Sequence, residues 1–232
     1  MPRPTSSDRL DAIVEAATRV FGRNGYRRTR TADVAAEAGI SAGGLFTYVD
    51  SKEALFHLVF LAGFGRLDEA RLSLPLRTPT TSETLELIGK GLASEMACPA
   101  LAAAARRDAP GDAPAELTAI IEEQFRGQSR NWQLLAVIER SAADLPELED
   151  MYFTRGRRGR IRLLERYLTQ RIADGQLRDT VDTTVAARWL IETVTWFAWK
   201  RRGDRDAALY DDEPTLAAIT NLMCDALIAP SS

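Results

Sequence analysis

Cysteine and histidine are scarce in this chain of 232 residues, with two of the first and one of the second. Cys98 and Cys224 stand far apart without CxxC or Cys/His spacing, which excludes a disulfide framework and a zinc ribbon and fits a reduced, cytoplasmic setting. With His57 as the only imidazole, there is no Glu-x-x-His pair, no credible nucleophile triad and no glycine-rich phosphate loop. Hence no catalytic residue, metal ligand or cofactor is expected, and an enzyme is disfavoured. A long apolar run is missing as well: "LFHLVFLAGFG" is broken by charge well short of the roughly 18 residues that suggest a membrane span. No apolar leader follows "MPRPTSSDRL". Charge of one sign is also lacking, since 30 Lys+Arg face 33 Asp+Glu for a net of -3, so any nucleic-acid surface must be local.

What is present is helical. The chain is 45% hydrophobic, and its apolar residues recur at helical spacing almost everywhere. Leu10, Ile13, Val14, Ala17, Val20 and Phe21 trace one face of a first helix that "GRNGY" should end. Period-two alternation appears nowhere over a useful length, so the fold class is all-α. A short helix is expected near Thr31–Ala38, a turn at Gly39, a second from Ser41 to about Val49, and then a long helix through "ALFHLVFLAGFGRLDEARL". Asp50 and Glu53 would form the capping box of that long helix. The segment "SLPLRTPTTSE" reads as a loop inside the second domain. Further helices are expected at Glu83–Met96, Pro99–Arg107, Ala113–Gly127, Asn131–Ser141, Pro146–Asp174, Val181–Lys200 and Pro214–Ile228, with "DAPGDAP" and "RGDRDAALYDDEP" as connectors.

A helix-turn-helix needs a small residue on its first helix, a residue tolerant of positive φ in the turn, and apolar anchors on the second. "VAAEAGISAGGLF" supplies Val34 and Ala35, then Gly39, then Ile40 and Leu45, with Ser41 as a natural N-cap. From Leu10 to Leu55 the stretches "VFGRNGY", "TRTADVAAEAGIS" and "GLFTYVDSKEAL" follow in order and at the usual spacing. In this the chain resembles the DNA-binding domain of the TetR family of transcriptional regulators. The resemblance implies a three-helix DNA-binding domain at 1–50 and a helical ligand-binding and dimerisation domain at 51–232, with 51–73 as connecting helix. It also implies a homodimer whose last two long helices form a four-helix bundle, and a small-molecule effector bound among the middle helices.

Phosphate contacts give register, and base edges give sequence choice. By the resemblance, Tyr48 would donate its hydroxyl to a phosphate and Lys52, at a helix N-terminus, would bind another. The pattern departs from the family at Ala42, Gly44, Phe46 and Val49, where Lys, Thr, Tyr and Phe are common, so the polar contacts of those positions are not carried over. Charge lies upstream instead, in Arg23, Arg27, Arg28 and Arg30; Arg30 and Thr31 open the second helix, whereas Arg23 reads as a solvated corner. Gly43 and Gly44 each cost a helix about 0.8–1.0 kcal/mol relative to alanine. Without side chains they would let Ser41, Ala42 and the helix backbone approach phosphate closely while Thr47 reaches a base edge.

Farther on, the arginine run Arg155, Arg157, Arg158, Arg160, Arg162, Arg166 and Arg171 reads as a solvated face paired with nearby acids such as those of "LPELED". Trp189 and Trp196 share a helical face with Glu192. That face is either a dimer-bundle core, with Glu192 paired to Arg188, or an aromatic wall for a cationic ligand. Met96, Phe125 and Trp132 complete the candidate pocket, for an effector expected to be largely apolar. Two functions follow: a ligand-responsive regulator, as a repressor, on a double-stranded DNA operator, or a ligand-binding or adaptor protein on the same scaffold that has lost DNA readout.

Overall fold

The computed structural model describes residues 6–106, 111–179, 182–206 and 210–230. The apolar spacing from Leu10 to Phe21 becomes α1, Ser6–Arg28, whose Leu10, Ile13, Ala17, Val20 and Phe21 are all sealed from solvent. Regular helix stops at Gly25, where φ reaches 77°, a conformation open to glycine but strained for other residues. A Cβ at that position would also lie 2.7 Å from the Arg140 carbonyl oxygen. The end of α1 therefore depends on glycine for two separate reasons.

Two short helices follow, α2 at Thr31–Glu37 and α3 at Ala42–Leu45, and then α4 at Lys52–Gly63. The second helix of the motif is thus one turn long and does not reach Val49, as two adjacent glycines with weak helix propensity would lead one to expect. The N-cap of α4 is Ser51, whose Oγ accepts the Ala54 N–H at 3.0 Å. Asp50, expected in that role, instead accepts the Thr78 hydroxyl at 2.6 Å. Seven residues of α4, Ala54 to Phe56 and Leu58 to Leu61, are buried, so it is a core helix. The connecting helix does not run on through 73: it breaks at Gly65 (φ 72°) and resumes as α5, Leu67–Arg71.

The remaining helices are α6 Thr81–Glu95, α7 Pro99–Ala104, α8 Ala113–Arg130, α9 Trp132–Ala142, α10 Pro146–Glu149, α11 Arg158–Ala173, α12 Thr183–Ala198 and α13 Asp212–Leu227. A π-helical stretch, Asp150–Arg157, replaces the middle of the single helix expected over Pro146–Asp174, and it contains Gly156. The expected helix ends at Arg107 and Val181 lie outside the described residues, as do parts of both connectors. Among the described residues there are two isolated bridges and no strand, and no helix is long and apolar enough to cross a membrane.

The chain divides into two compact units. One comprises the residues up to Ser94 together with Gln133–Tyr152; the other comprises Glu95–Trp132 and the residues from Phe153 onward. In the first unit α4 packs on α1, and α9 completes the same core through Leu134, Val137 and Ile138. Gly63 and Gly22 give α9 a flat bed: a Cβ on Gly63 would stand 2.5 Å from Leu134 Cδ1. The loop expected in the second domain also joins this unit. Leu76 donates its N–H to the Tyr48 carbonyl at 2.8 Å and accepts from the Asp50 N–H at 3.1 Å, covering the end of the motif. The compact unit carrying the motif is therefore larger than residues 1–50. In the second unit α8, α11, α12 and α13 enclose Leu117, Ile121, Phe125, Leu164, Tyr167, Leu190, Val194, Leu216 and Met223.

Candidate nucleic-acid interface

The motif is held from beneath by apolar anchors. Val34 and Ala35 on α2 and Leu45 on α3 are buried, while Gly39 makes the turn at φ 68° with open space around it. Ser41 caps α3 as its position suggested, its Oγ accepting the Gly44 N–H at 3.0 Å. Above these anchors Ser41, Ala42, Gly43, Phe46 and Thr47 are exposed and Gly44 is half-buried. Thr47 Oγ1 donates to the Gly44 carbonyl at 2.7 Å, which closes the turn after α3.

Tyr48 and Lys52, the two residues expected on phosphate, are differently placed. Tyr48 is only 9% exposed and belongs to the core cluster, where the neighbouring Leu76 strap covers it. The Lys52 ammonium has three donors, and Nζ lies within hydrogen-bond range of three carbonyl oxygens, those of Tyr26 (3.2 Å), Arg27 (3.4 Å) and Thr29 (3.3 Å). It also sits 4.5 Å from the centre of the Tyr26 ring. The Tyr26 hydroxyl donates to Glu53 at 2.7 Å. Burial first, and that carboxylate second, push the Tyr26 phenol above its ordinary range, while the same hydrogen bond holds the Glu53 carboxyl below its own. Lys52 thus ties down the corner after α1.

That corner carries the free charge. Arg23 is exposed, as a solvated corner would be, and with Arg19 it pairs to Glu37, at 2.6 and 2.9 Å; the two guanidinium groups, Arg23 foremost, hold that carboxyl below its usual range. Arg28 Nε donates to the Asn24 carbonyl at 3.0 Å. Arg27 and Arg30 are exposed, and their guanidinium groups have no acidic partner among the described residues. Arg30 precedes α2 as its N-cap, its backbone N–H held by Asp33 at 3.2 Å, with Thr31 half-buried beside it.

None of the six residues proposed for an effector pocket lines the seam between α8 and α12 or the cavity beside His57. Phe125 is sealed in the core, and Met96 is half-buried with its carbonyl accepting from Arg160. Trp132 lies under the Arg202 guanidinium at 5.6 Å. Trp189 and Trp196 are 40% and 38% exposed on α12. Glu192 pairs with Arg188 at 2.7 Å and also with Arg157. Two members of the arginine run pair with acids of other helices, Arg171 with Glu116 of α8 and Arg157 with Glu192 of α12. In the second unit a narrow seam of about 10 Å³ between α8 and α12 is lined by Leu117, Ile120, Ile121, Leu190, Ile191, Val194 and the single polar residue Gln124. A larger cavity of about 490 Å³ lies in the first unit beside His57, Arg66, Arg77, Glu83 and Lys90. His57 Nδ1 lies 3.0 Å from the Thr84 hydroxyl, and burial lowers its pKa.

Residues 13–59 match the family model for bacterial regulatory proteins of the tetR family, and residues 115–219 match the C-terminal domain of AefR-like transcriptional repressors. The chain belongs to the TetR family of transcriptional regulators. TetR-family proteins are regulators rather than enzymes. The HTH-type transcriptional regulator YfiR of Bacillus subtilis is 42% identical over 57 residues, 25% of this TetR-family chain and 26% of that protein, so the match spans about a quarter of the relative's length. Among solved structures, the ketosteroid transcriptional regulator KstR2 of Mycobacterium tuberculosis superposes with a TM-score of 0.58 at 16% identity, covering 98% of each chain. A TetR-family regulator from Chloroflexus aurantiacus gives 0.55 at 14% identity, covering 97% of this chain and 96% of that one. At such identities the likeness is one of fold.

Within the TetR-family head, polar residues drew attention and Phe46 did not. It is 46% exposed on α3's outer turn, and the signal for it was its place between two buried neighbours, Leu45 and Tyr48, in a turn too short to bury a third.

Proposed function

We propose that this chain is a ligand-responsive transcriptional regulator that binds a pseudo-palindromic DNA operator as a homodimer and acts as a repressor released by a small molecule. The observation that carries DNA binding is the side-chain-poor turn of α3 standing beside the unpaired arginines Arg27 and Arg30. A bare turn can approach the duplex closely, and guanidinium groups at its flank supply phosphate affinity or a guanine contact. Two-fold symmetry would place half-sites about 34 Å apart, one helical turn, or a multiple of it. Support for a second copy as partner comes from α12 and α13, where Val185, Trp189, Trp196 and Leu222 are exposed. The first three repeat at helical spacing along α12, as a bundle interface requires. An effector that is largely apolar suits the α8–α12 seam, which would have to open to admit it.

The adaptor reading draws on the withdrawal of Tyr48 into the core and of Lys52 onto backbone carbonyls. Selection from a randomised duplex pool separates the two. A regulator enriches a two-fold symmetric sequence and binds it in a salt-dependent way, and Arg30→Ala weakens that binding, with the salt slope falling by about one if Arg30 meets phosphate. Failure to enrich any sequence, with the protein folded and dimeric, would leave the adaptor reading in possession.

A further inference from the structure

The exposed part of α3 has almost no polar reach. Ser41 Oγ accepts the Gly44 N–H and the Thr47 hydroxyl donates to the Gly44 carbonyl, so each is partly committed to its own turn. Gly43 has nothing within 4 Å of where a Cβ would be, and Ala42 presents a methyl. One large side chain remains, that of Phe46, 46% exposed, while Leu45 and Tyr48 on either side of this turn are fixed in the core.

A single exposed phenylalanine is ordinary on a protein surface. Phe46 differs in position, because it stands on the turn that the proposed function places against DNA. Base edges in the major groove present hydrogen-bond donors, acceptors and one apolar group, the C5-methyl of thymine. A face whose two hydroxyls are each partly committed to their own turn and whose largest side chain is a benzyl group is suited to the last of these. We propose that Phe46 is the specificity-determining residue of α3 and reads thymine through its C5-methyl group, with Ala42 and the Thr47 methyl beside it. This rests on the DNA-binding reading above. It shifts the sequence choice of α3 from hydrogen bonds to apolar contact, and leaves Arg27, Arg28 and Arg30 to supply affinity and register.

The test alters the DNA before the protein. A duplex enriched by the full-length chain from a randomised pool is remade with deoxyuridine replacing thymine one position at a time, which removes only the methyl group. At one or two positions in each half-site the uracil duplex should bind about fourfold more weakly, the factor that burial of one methyl-sized group supplies. Phe46→Ala should weaken binding of the thymine duplex and bind thymine and uracil duplexes equally, while Phe46→Leu keeps part of the discrimination. Equal binding of thymine and uracil duplexes by the unaltered chain, or a Phe46→Ala variant that keeps the preference, overturns the assignment to Phe46 but leaves DNA binding standing. If no duplex is enriched, both fall.

Discussion

The two compact units use charge and aromatic rings in opposite ways. In the second, Arg171 is 1% exposed and bonded to Glu116 at 2.7 and 3.1 Å, to Asp174 at 3.0 Å and to the Ala104 carbonyl. Arg201 is likewise buried, bonded to Asp212 and to the carbonyls of Phe197 and Tyr210. Yet this unit leaves Trp189 and Trp196 at its surface. The first unit packs Phe21, Tyr26, Phe56 and Phe60 edge to face in a set of ring contacts and leaves Arg27 and Arg30 without acidic partners among the described residues. The second unit buries two arginines and exposes two tryptophans, whereas the first buries a cluster of rings and leaves two exposed arginines beside its motif. A net charge of -3 averages over both and reports neither. This division is what the proposed function draws on in assigning DNA to the first unit and a second copy of the chain to the second.

Charging the rings of the second unit would break the comparison most visibly. The double variant Trp189→Glu, Trp196→Glu should convert a dimer to a monomer in light scattering at micromolar concentration, with near-native helix content. A natural chain that is already monomeric, or a variant that stays dimeric, would show that those rings are not the interface.

A smaller effect compares one acid from each unit. Glu116→Ala removes the main partner of a buried guanidinium and should lower unfolding free energy by about 3 kcal/mol, at the lower end for a broken buried pair because Asp174 remains. Glu37→Ala, which frees the exposed Arg19 and Arg23, should barely move the denaturant midpoint. Equal costs at the two sites would contradict the claim that only the second unit depends on its ion pairs.

Legibility in the sequence followed the range of the interaction. The turn at Gly39, the Ser41 cap and the anchors Val34, Ala35 and Leu45 are set by neighbours within a few residues, and spacing alone revealed them. The docking of α9 on Gly22 and Gly63 and the strap at Leu76 bring together segments far apart in sequence, and no local pattern encodes them. The brevity of α3 follows from its glycines, but the exposure of Phe46 does not, because it depends on how the turn after α3 packs on the core. The candidate pocket was less legible for a related reason: helical spacing puts Trp189, Glu192 and Trp196 on one face without saying whether a cavity lies there.

Lys52 tests the comparison at its weakest point, since it is a cation of the first unit that is already partnered. Its hydrogen-bond partners are three carbonyls, so it acts as a cap for the chain leaving α1, beside the corner occupied by Arg27 and Arg28. A cation at a helix C-terminus contributes up to about 1 kcal/mol when it is exposed, and more when partly buried. Lys52→Met keeps the aliphatic stem against Tyr26 and removes the donors. It should therefore destabilise the first unit by about 1 kcal/mol and weaken binding to a selected duplex by loosening the arginine corner. The salt dependence decides between cap and contact: a phosphate ligand takes about one unit of slope with it when removed, whereas a cap that never met phosphate leaves the slope unchanged. A slope reduced by one with unaltered stability would return Lys52 to the DNA and show that its ammonium leaves the carbonyls on binding.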